Sequence, residues 1–137
     1  KYLLVFTGNT KVNVANSKNT GGLLQKEKKM TNLAHYLSMF LREHLPCERG
    51  ASQHTCDTYA YSFQLLVCFA ARCAKTQPSK LTIEYLKAPL IVAFLKYLEK
   101  NRKSSPRTRN ARLAAIKAFF RFLEYHLPSC LEQSRRI

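Results

Sequence analysis

From Thr31 onward the apolar residues return every three or four positions, the repeat of a helix with one face turned to a core. The pattern predicts a first helix over about 31–45, with Leu33, Tyr36, Leu37, Phe40 and Leu41 on one face. It ends at "HLPCERG", where Pro46 and Gly50 break any helix. A second helix opens at Ser52, an N-cap residue type, and runs to about Ala74. Its stripe is Tyr59, Phe63, Leu66, Phe69, Ala70 and Cys73, with Asp57, Gln64, Ala71 and Lys75 on the opposite face.

The segment "KTQPSKLT" reads as a loop. A short helix is expected from Thr82 to about Lys87, with Glu84 in its first turn. Pro89 then opens a longer helix carrying Leu90, Phe94 and Leu98. The fourth helix has Ser105 as cap and Pro106 at the first helical position, where proline's missing N–H costs nothing. It ends near His126, before Pro128. No strand is needed after residue 30, and the short connections suit a helical bundle. Residues 1–29 differ: "TGNTKVNVANSKNTGG" lacks helical periodicity and reads as a flexible basic extension. Met30 stands where the helical pattern begins, which suggests that it is the natural start or that the extension is dispensable.

Charge changes the picture. Lys and Arg number 23 against 8 Asp and Glu, a formal net charge of +15 that points to a polyanionic partner. The excess is densest in "SSPRTRNARLAAIKAFFRFLEY", residues 104–125. On the fourth helix Leu113, Ile116, Phe119, Phe120, Phe122 and Leu123 share about half the circumference at 100° per residue. Arg107, Ala114, Lys117, Ala118 and Arg121 share the other half. From Lys100 to Arg121 there are eight cations and no acid, whereas ordinary solvated helices mix signs. Alanines between the cations let a helix backbone approach a surface closely. Arg112 breaks the division, falling on the apolar side. Asn110 is a residue type that can read an adenine edge, although near a helix start it also bonds locally.

Other chemistry is sparse. The five cysteines (Cys47, Cys56, Cys68, Cys73, Cys130) form no C-x-x-C pair and are expected to be reduced and buried as small hydrophobes, which favours the cytoplasm. No apolar run approaches a membrane span. No Gly-rich phosphate loop, metal-ligand cluster or paired carboxylates stand out, so no cofactor, metal or small-molecule substrate is expected.

"SPRTRNARLAAIKAFFRFLEY" resembles the last helix of the core-binding domain of tyrosine recombinases, the phage-integrase and Xer-type family. "LAHYLSMFL", "SQHTCDTYAYSFQLLVCF" (with Thr55, Tyr59, Phe63 and Phe69) and "LTIEYLKAPLIVAFLKYL" are similar to that domain's earlier helices, in order. The resemblance covers about residues 31–126. It implies an all-α fold, a four-helix SAM-like orthogonal bundle that forms one half of a clamp around double-stranded DNA. The domain would span 30–126, and residues 127–137 would begin an interdomain linker. Carried over by position, the resemblance nominates Lys103, Ser104, Arg107, Arg109, Asn110, Arg112, Lys117 and Arg121 for DNA binding, with His54 and Thr55 beside them. In the full-length protein, other recombinase protomers would be partners.

The family's catalysis belongs to a C-terminal domain with a tyrosine nucleophile and a His-x-x-Arg element. None of His35, His44, His54 and His126 is followed by Arg three positions later. Six of the seven tyrosines fall in predicted helices, most at core positions. The expectation is therefore a recombinase fragment that binds DNA and carries no catalytic residue. Two other readings compete: a stand-alone helical adaptor for a protein partner, and a basic amphipathic module at an anionic membrane. The second would need its apolar residues exposed beside the cations.

Overall fold

The computed structural model describes residues 31–137. The extension 1–29 and Met30, and the expectations attached to them, lie outside the described residues. Five α-helices follow in order: α1 (Leu33–Met39), α2 (Gln53–Ala74), α3 (Ala88–Lys100), α4 (Pro106–His126) and α5 (Leu131–Arg135). Among the described residues there is no strand, only an isolated antiparallel bridge between Asn32 and Thr82. The fold is all-α, as the periodicity predicts. No described helix is long and apolar enough to cross a membrane.

Capping chemistry sets the helix starts. Asn32 accepts from the N–H groups of Ala34 and His35 at the head of α1. The two long helices start alike: the Ser52 hydroxyl accepts from the Thr55 N–H, and the Ser105 hydroxyl from the Thr108 N–H, both at 3.2 Å. Each satisfies a backbone donor that the helix itself cannot pair, worth about 1 kcal/mol.

The first helix does not stop at Pro46. It continues from α1 as a π-helical stretch, Phe40–Glu48, with Pro46 inside it. The wider i→i+5 register persists to its end, where the Arg49 N–H bonds the His44 carbonyl at 3.0 Å. The region after Thr82 departs from expectation less: it is a single 3₁₀ turn, Ile83–Tyr85, before α3 opens with Pro89 in its first turn.

One aromatic cluster organises the core. Phe40 packs against Phe63 of α2 at 5.9 Å between ring centroids, and against Phe119 and Phe122 of α4 at 5.3 and 5.5 Å. Phe94 of α3 meets Phe69 of α2 at 5.6 Å. Phe40, Phe63, Phe94, Phe119 and Phe120 are essentially solvent-free; each contributes about 1.5–3 kcal/mol of hydrophobic stabilisation. Ile116, Phe119, Phe120, Phe122 and Leu123 of α4 are all buried, as its helical pattern predicts, and Leu113 packs at the core edge.

Three burial expectations need correction. Ala71, placed on the outer face of α2, is buried, while Cys73, placed on its stripe, is exposed. The 22-residue α2 packs on α4, α3 and the turn at 78–80, so its buried surface widens beyond a single stripe to include Val67 and Ala71. Of the five cysteines only Cys130 is buried; Cys47, Cys68 and Cys73 are exposed and Cys56 is intermediate. The tyrosines expected in the core sit at its rim or outside it. Tyr36, Tyr59 and Tyr97 pack against it from the edge, whereas Tyr85 and Tyr125 are exposed.

Residues 127–137 fold back on the bundle. The Gln133 side-chain amide donates to the carbonyls of Ile83 (2.8 Å) and Leu86 (2.9 Å), and the Ser134 hydroxyl donates to Glu124. Buried Cys130 completes this seat for α5.

Candidate nucleic-acid interface

The outer face of α4 carries Arg107, Lys117 and Arg121, all exposed, with exposed Ala114 between them. Arg107 and Lys117 are ten residues apart, about 15 Å along the axis. No ion pair reaches any of the three cations among the described residues. The face exists because the opposite side of the same helix is filled by phenylalanines, which fixes its rotation about its own axis. Lys103 and Ser104 extend it at the α3–α4 connection. Lys103 is exposed with φ 50°, a left-handed turn, and the Ser104 N–H bonds the Leu98 carbonyl at 3.0 Å.

Other nominated residues are engaged elsewhere. Arg109 is half-buried and ion-paired with Glu99 of α3, and its guanidinium also reaches the Asn110 side-chain oxygen at 3.3 and 3.4 Å. The Asn110 acceptor that could receive an adenine amino group is thereby occupied by a neighbour. His54 and Thr55 lie on the first turn of α2, away from α4 in sequence. His54 is exposed, and the Thr55 hydroxyl is shared with Ser52 at 3.0 Å.

Arg112 has a partner that sequence reasoning missed. Its guanidinium lies 5.1 Å from the centroid of the Tyr61 ring on α2, a cation–π contact rather than a carboxylate pair. Burial holds its pKa below the ordinary arginine value, with the nearby Arg102 charge acting in the same direction and Tyr61 against it. Tyr61 is also the acceptor for Arg102, whose guanidinium donates to the phenol oxygen at 3.0 Å. The pattern continues on α2 and α3. Arg72 stacks on Tyr97 at 5.1 Å, and its hydrogen bond, then that of Arg102, holds the Tyr97 phenol below its ordinary pKa against the effect of burial. Tyr61, Arg72, Tyr97 and Arg102 were not nominated from the sequence. The charge run flags Arg102, but no local signal joins it to residues on two other helices.

No group of His, Cys, Asp or Glu among the described residues could hold a metal ion. Among the described residues the tyrosines pack at the core edge, carry arginines or, as with Tyr85 and Tyr125, are exposed.

The chain matches the family model "Phage integrase, N-terminal SAM-like domain" over residues 37–126. It belongs to that family. The resemblance drawn from its four helical motifs is borne out, and with it the SAM-like fold. It is similar to two proteins of Sinorhizobium fredii (strain NBRC 101917 / NGR234). One is named "Putative integrase/recombinase y4rC", 41% identical over 109 residues, which are 80% of this chain and 33% of that protein. The other is named "Putative integrase/recombinase y4rD", 36% identical over 105 residues, 77% of this chain and 37% of that protein. The chain therefore spans about a third of the length of these relatives. No solved structure matches it significantly.

Proposed function

We propose that this domain is the DNA-binding core domain of a tyrosine site-specific recombinase or integrase. In this reading it clamps duplex DNA and leaves strand cleavage to another part of the whole protein. Residues 30–126 are the binding domain, and 127–137, seated by Gln133, begin the connection to that part. The relatives' names and the family model support the recombinase setting; the outer face of α4 carries the DNA reading. Three exposed cations, unpaired among the described residues and separated by a small residue, suit a helix laid close to phosphates. Arg107, Lys117 and Arg121 are the principal contacts, with Lys103 and Ser104 at the helix entrance. His54 and Thr55 approach from α2. Arg109 and Asn110 contribute less, being engaged with Glu99 and with each other. Other recombinase protomers are the protein partners this reading implies, and the cytoplasm its compartment.

Titrating duplex DNA at several salt concentrations tests the reading. With about four to six phosphates neutralised, log K should fall against log salt with a slope of about −4 to −5. The double variant Arg107→Glu/Lys117→Glu should abolish binding while helicity and melting stay as in the parent. Salt-indifferent affinity, or no retention of duplex at low salt, overturns the proposal; lost folding in the variant would mean that the faces are reversed.

A further inference from the structure

Three arginines and two tyrosines from three helices and a connecting loop form one continuous row. Arg72 of α2 stacks on Tyr97 of α3; Arg102 of the α3–α4 loop, whose charge helps Arg72 to lower the Tyr97 pKa, donates to Tyr61 of α2; Tyr61 carries Arg112 of α4 on its ring. No carboxylate is paired with Arg72, Arg102 or Arg112 among the described residues. Like charges gathered without acids repel one another: burial lowers the Arg112 pKa, and the Arg102 charge adds to it. The phenols of Tyr61 and Tyr97 hold guanidinium groups together here, and a bound polyanion would offset the repulsion between them.

The row is not part of the α4 face. Arg112 is five residues from both Arg107 and Lys117, about 140° around the helix, and nine from Arg121, about 180°. Arg72 and Arg102 are exposed, so guanidinium edges are open to solvent while ring or phenol contacts fix their orientation. A guanidinium pre-oriented in this way loses little freedom on taking a phosphate bidentately, which a flexible lysine cannot match.

We propose that the Arg72–Tyr97–Arg102–Tyr61–Arg112 row is a second phosphate-binding surface for duplex DNA, separate from the outer face of α4. The inference rests on the DNA-binding reading but not on Arg107, Lys117 or Arg121. Arg72 and Arg102 make the contacts; Tyr61 and Tyr97 act as positioning residues, and Arg112 anchors the row to α4.

The test uses the same chain and a duplex of about 30 base pairs, about 100 Å long at 3.4 Å per pair, so that either surface can be reached. Anisotropy titrations over a salt series would compare the parent, Arg72→Ala/Arg102→Ala and Lys117→Ala/Arg121→Ala. Loss of two phosphate contacts should flatten the log K–log salt slope of the first variant by about 1.8, with melting unchanged. Tyr61→Phe keeps the ring under Arg112 but deletes the acceptor for Arg102. It should weaken binding by about threefold to tenfold, the equivalent of one ordinary hydrogen bond, without altering stability. Arg72→Lys/Arg102→Lys keeps the charge and loses the fork, and should also bind more weakly than the parent. Should the alanine pair lose helicity, this lysine pair decides alone. Parent-like affinity and slope in the row variants, alongside weakened Lys117→Ala/Arg121→Ala, would overturn this inference and leave the α4 reading standing. A parent chain that does not bind duplex at low salt would overturn both.

Discussion

The Arg112 guanidinium rests 5.1 Å from the centroid of the Tyr61 ring, on a side of α4 that the hydrophobic pattern assigns to the core. The contact explains how a cation is tolerated there: the phenol ring replaces part of the lost hydration while the aliphatic stem packs. Its Nε is buried without a hydrogen-bond partner among the described residues, so the accommodation is incomplete. Tyr61→Ala should therefore destabilise the domain by about 1–2 kcal/mol, through lost ring packing and a cation left without its partner. Arg112→Met, which retains the stem and removes the charge, should lie within about 1 kcal/mol of the parent. Urea denaturation of both variants checks the pair; equal losses would mean that the guanidinium itself, and not only the stem, stabilises the site.

Glu99 is the acid that removes Arg109 from the pool of free cations. Glu99→Gln should release that guanidinium to solvent and to polyanions while leaving the core untouched. Duplex DNA affinity should rise at low salt, and the log K–log salt slope should steepen by about 0.9 if Arg109 then takes one phosphate. Surface pairs of this kind contribute at most about 1 kcal/mol, so melting should barely move. A variant with parental affinity would place Arg109 beyond reach of the DNA.

Ser52, Ser105 and Pro106 announce the starts of α2 and α4 because a cap acts on neighbours a few residues away, within reach of any sequence pattern. The outer cations of α4 are legible for the same reason, since one helix wheel sorts Arg107, Lys117 and Arg121 from the phenylalanines. Ala71 and Cys73 depart from the single-stripe pattern because what covers α2 comes from α3 and from the turn at 78–80, and a wheel of α2 alone contains neither. Pro46 reads as a terminator because the periodicity assumes α-helical bonding, whereas the chain passes it in a π register. The Tyr61–Arg112 and Glu99–Arg109 contacts decide which nominated arginines are free. Each joins different helices, and nothing local encodes it.

Glu84 makes the stability of the amino-terminal junction sensitive to acid. Burial would push its carboxyl up, but hydrogen bonds from its own backbone N–H and from Thr82 and Thr31 outweigh that and hold it below the ordinary range. The Thr31 hydroxyl donates to Glu84 at 2.9 Å, alongside the backbone bonds Leu33 N–H to Leu81 carbonyl and Ile83 N–H to Thr31 carbonyl. A depressed folded-state pKa contributes stability that is fully present above the unfolded carboxyl value, about 4.3, and is lost as pH falls through the lower folded value. Glu84→Gln should therefore melt below the parent at pH 7, and the gap should close as the pH approaches 3. A gap of constant size across that range would assign the effect to packing.

Thiol accessibility separates local from global opening in this domain. Cys47, Cys68 and Cys73 are exposed, whereas Cys130 is buried at the start of α5, which Gln133 ties to the Ile83 and Leu86 carbonyls. Burial, partly opposed by a Ser129 hydrogen bond, raises the Cys130 pKa, so thiolate is scarce there as well as shielded. With excess maleimide at neutral pH, the three exposed cysteines should label rapidly in the native protein and Cys130 slowly. Gln133→Ala removes both bonds of the clasp, and it should accelerate Cys130 labelling selectively, because only the seat of α5 opens. If Cys130 instead labels at a rate set by global unfolding in both proteins, α5 and the bundle open as one cooperative unit. That outcome would locate the hold on α5 in its packing rather than in the amide clasp.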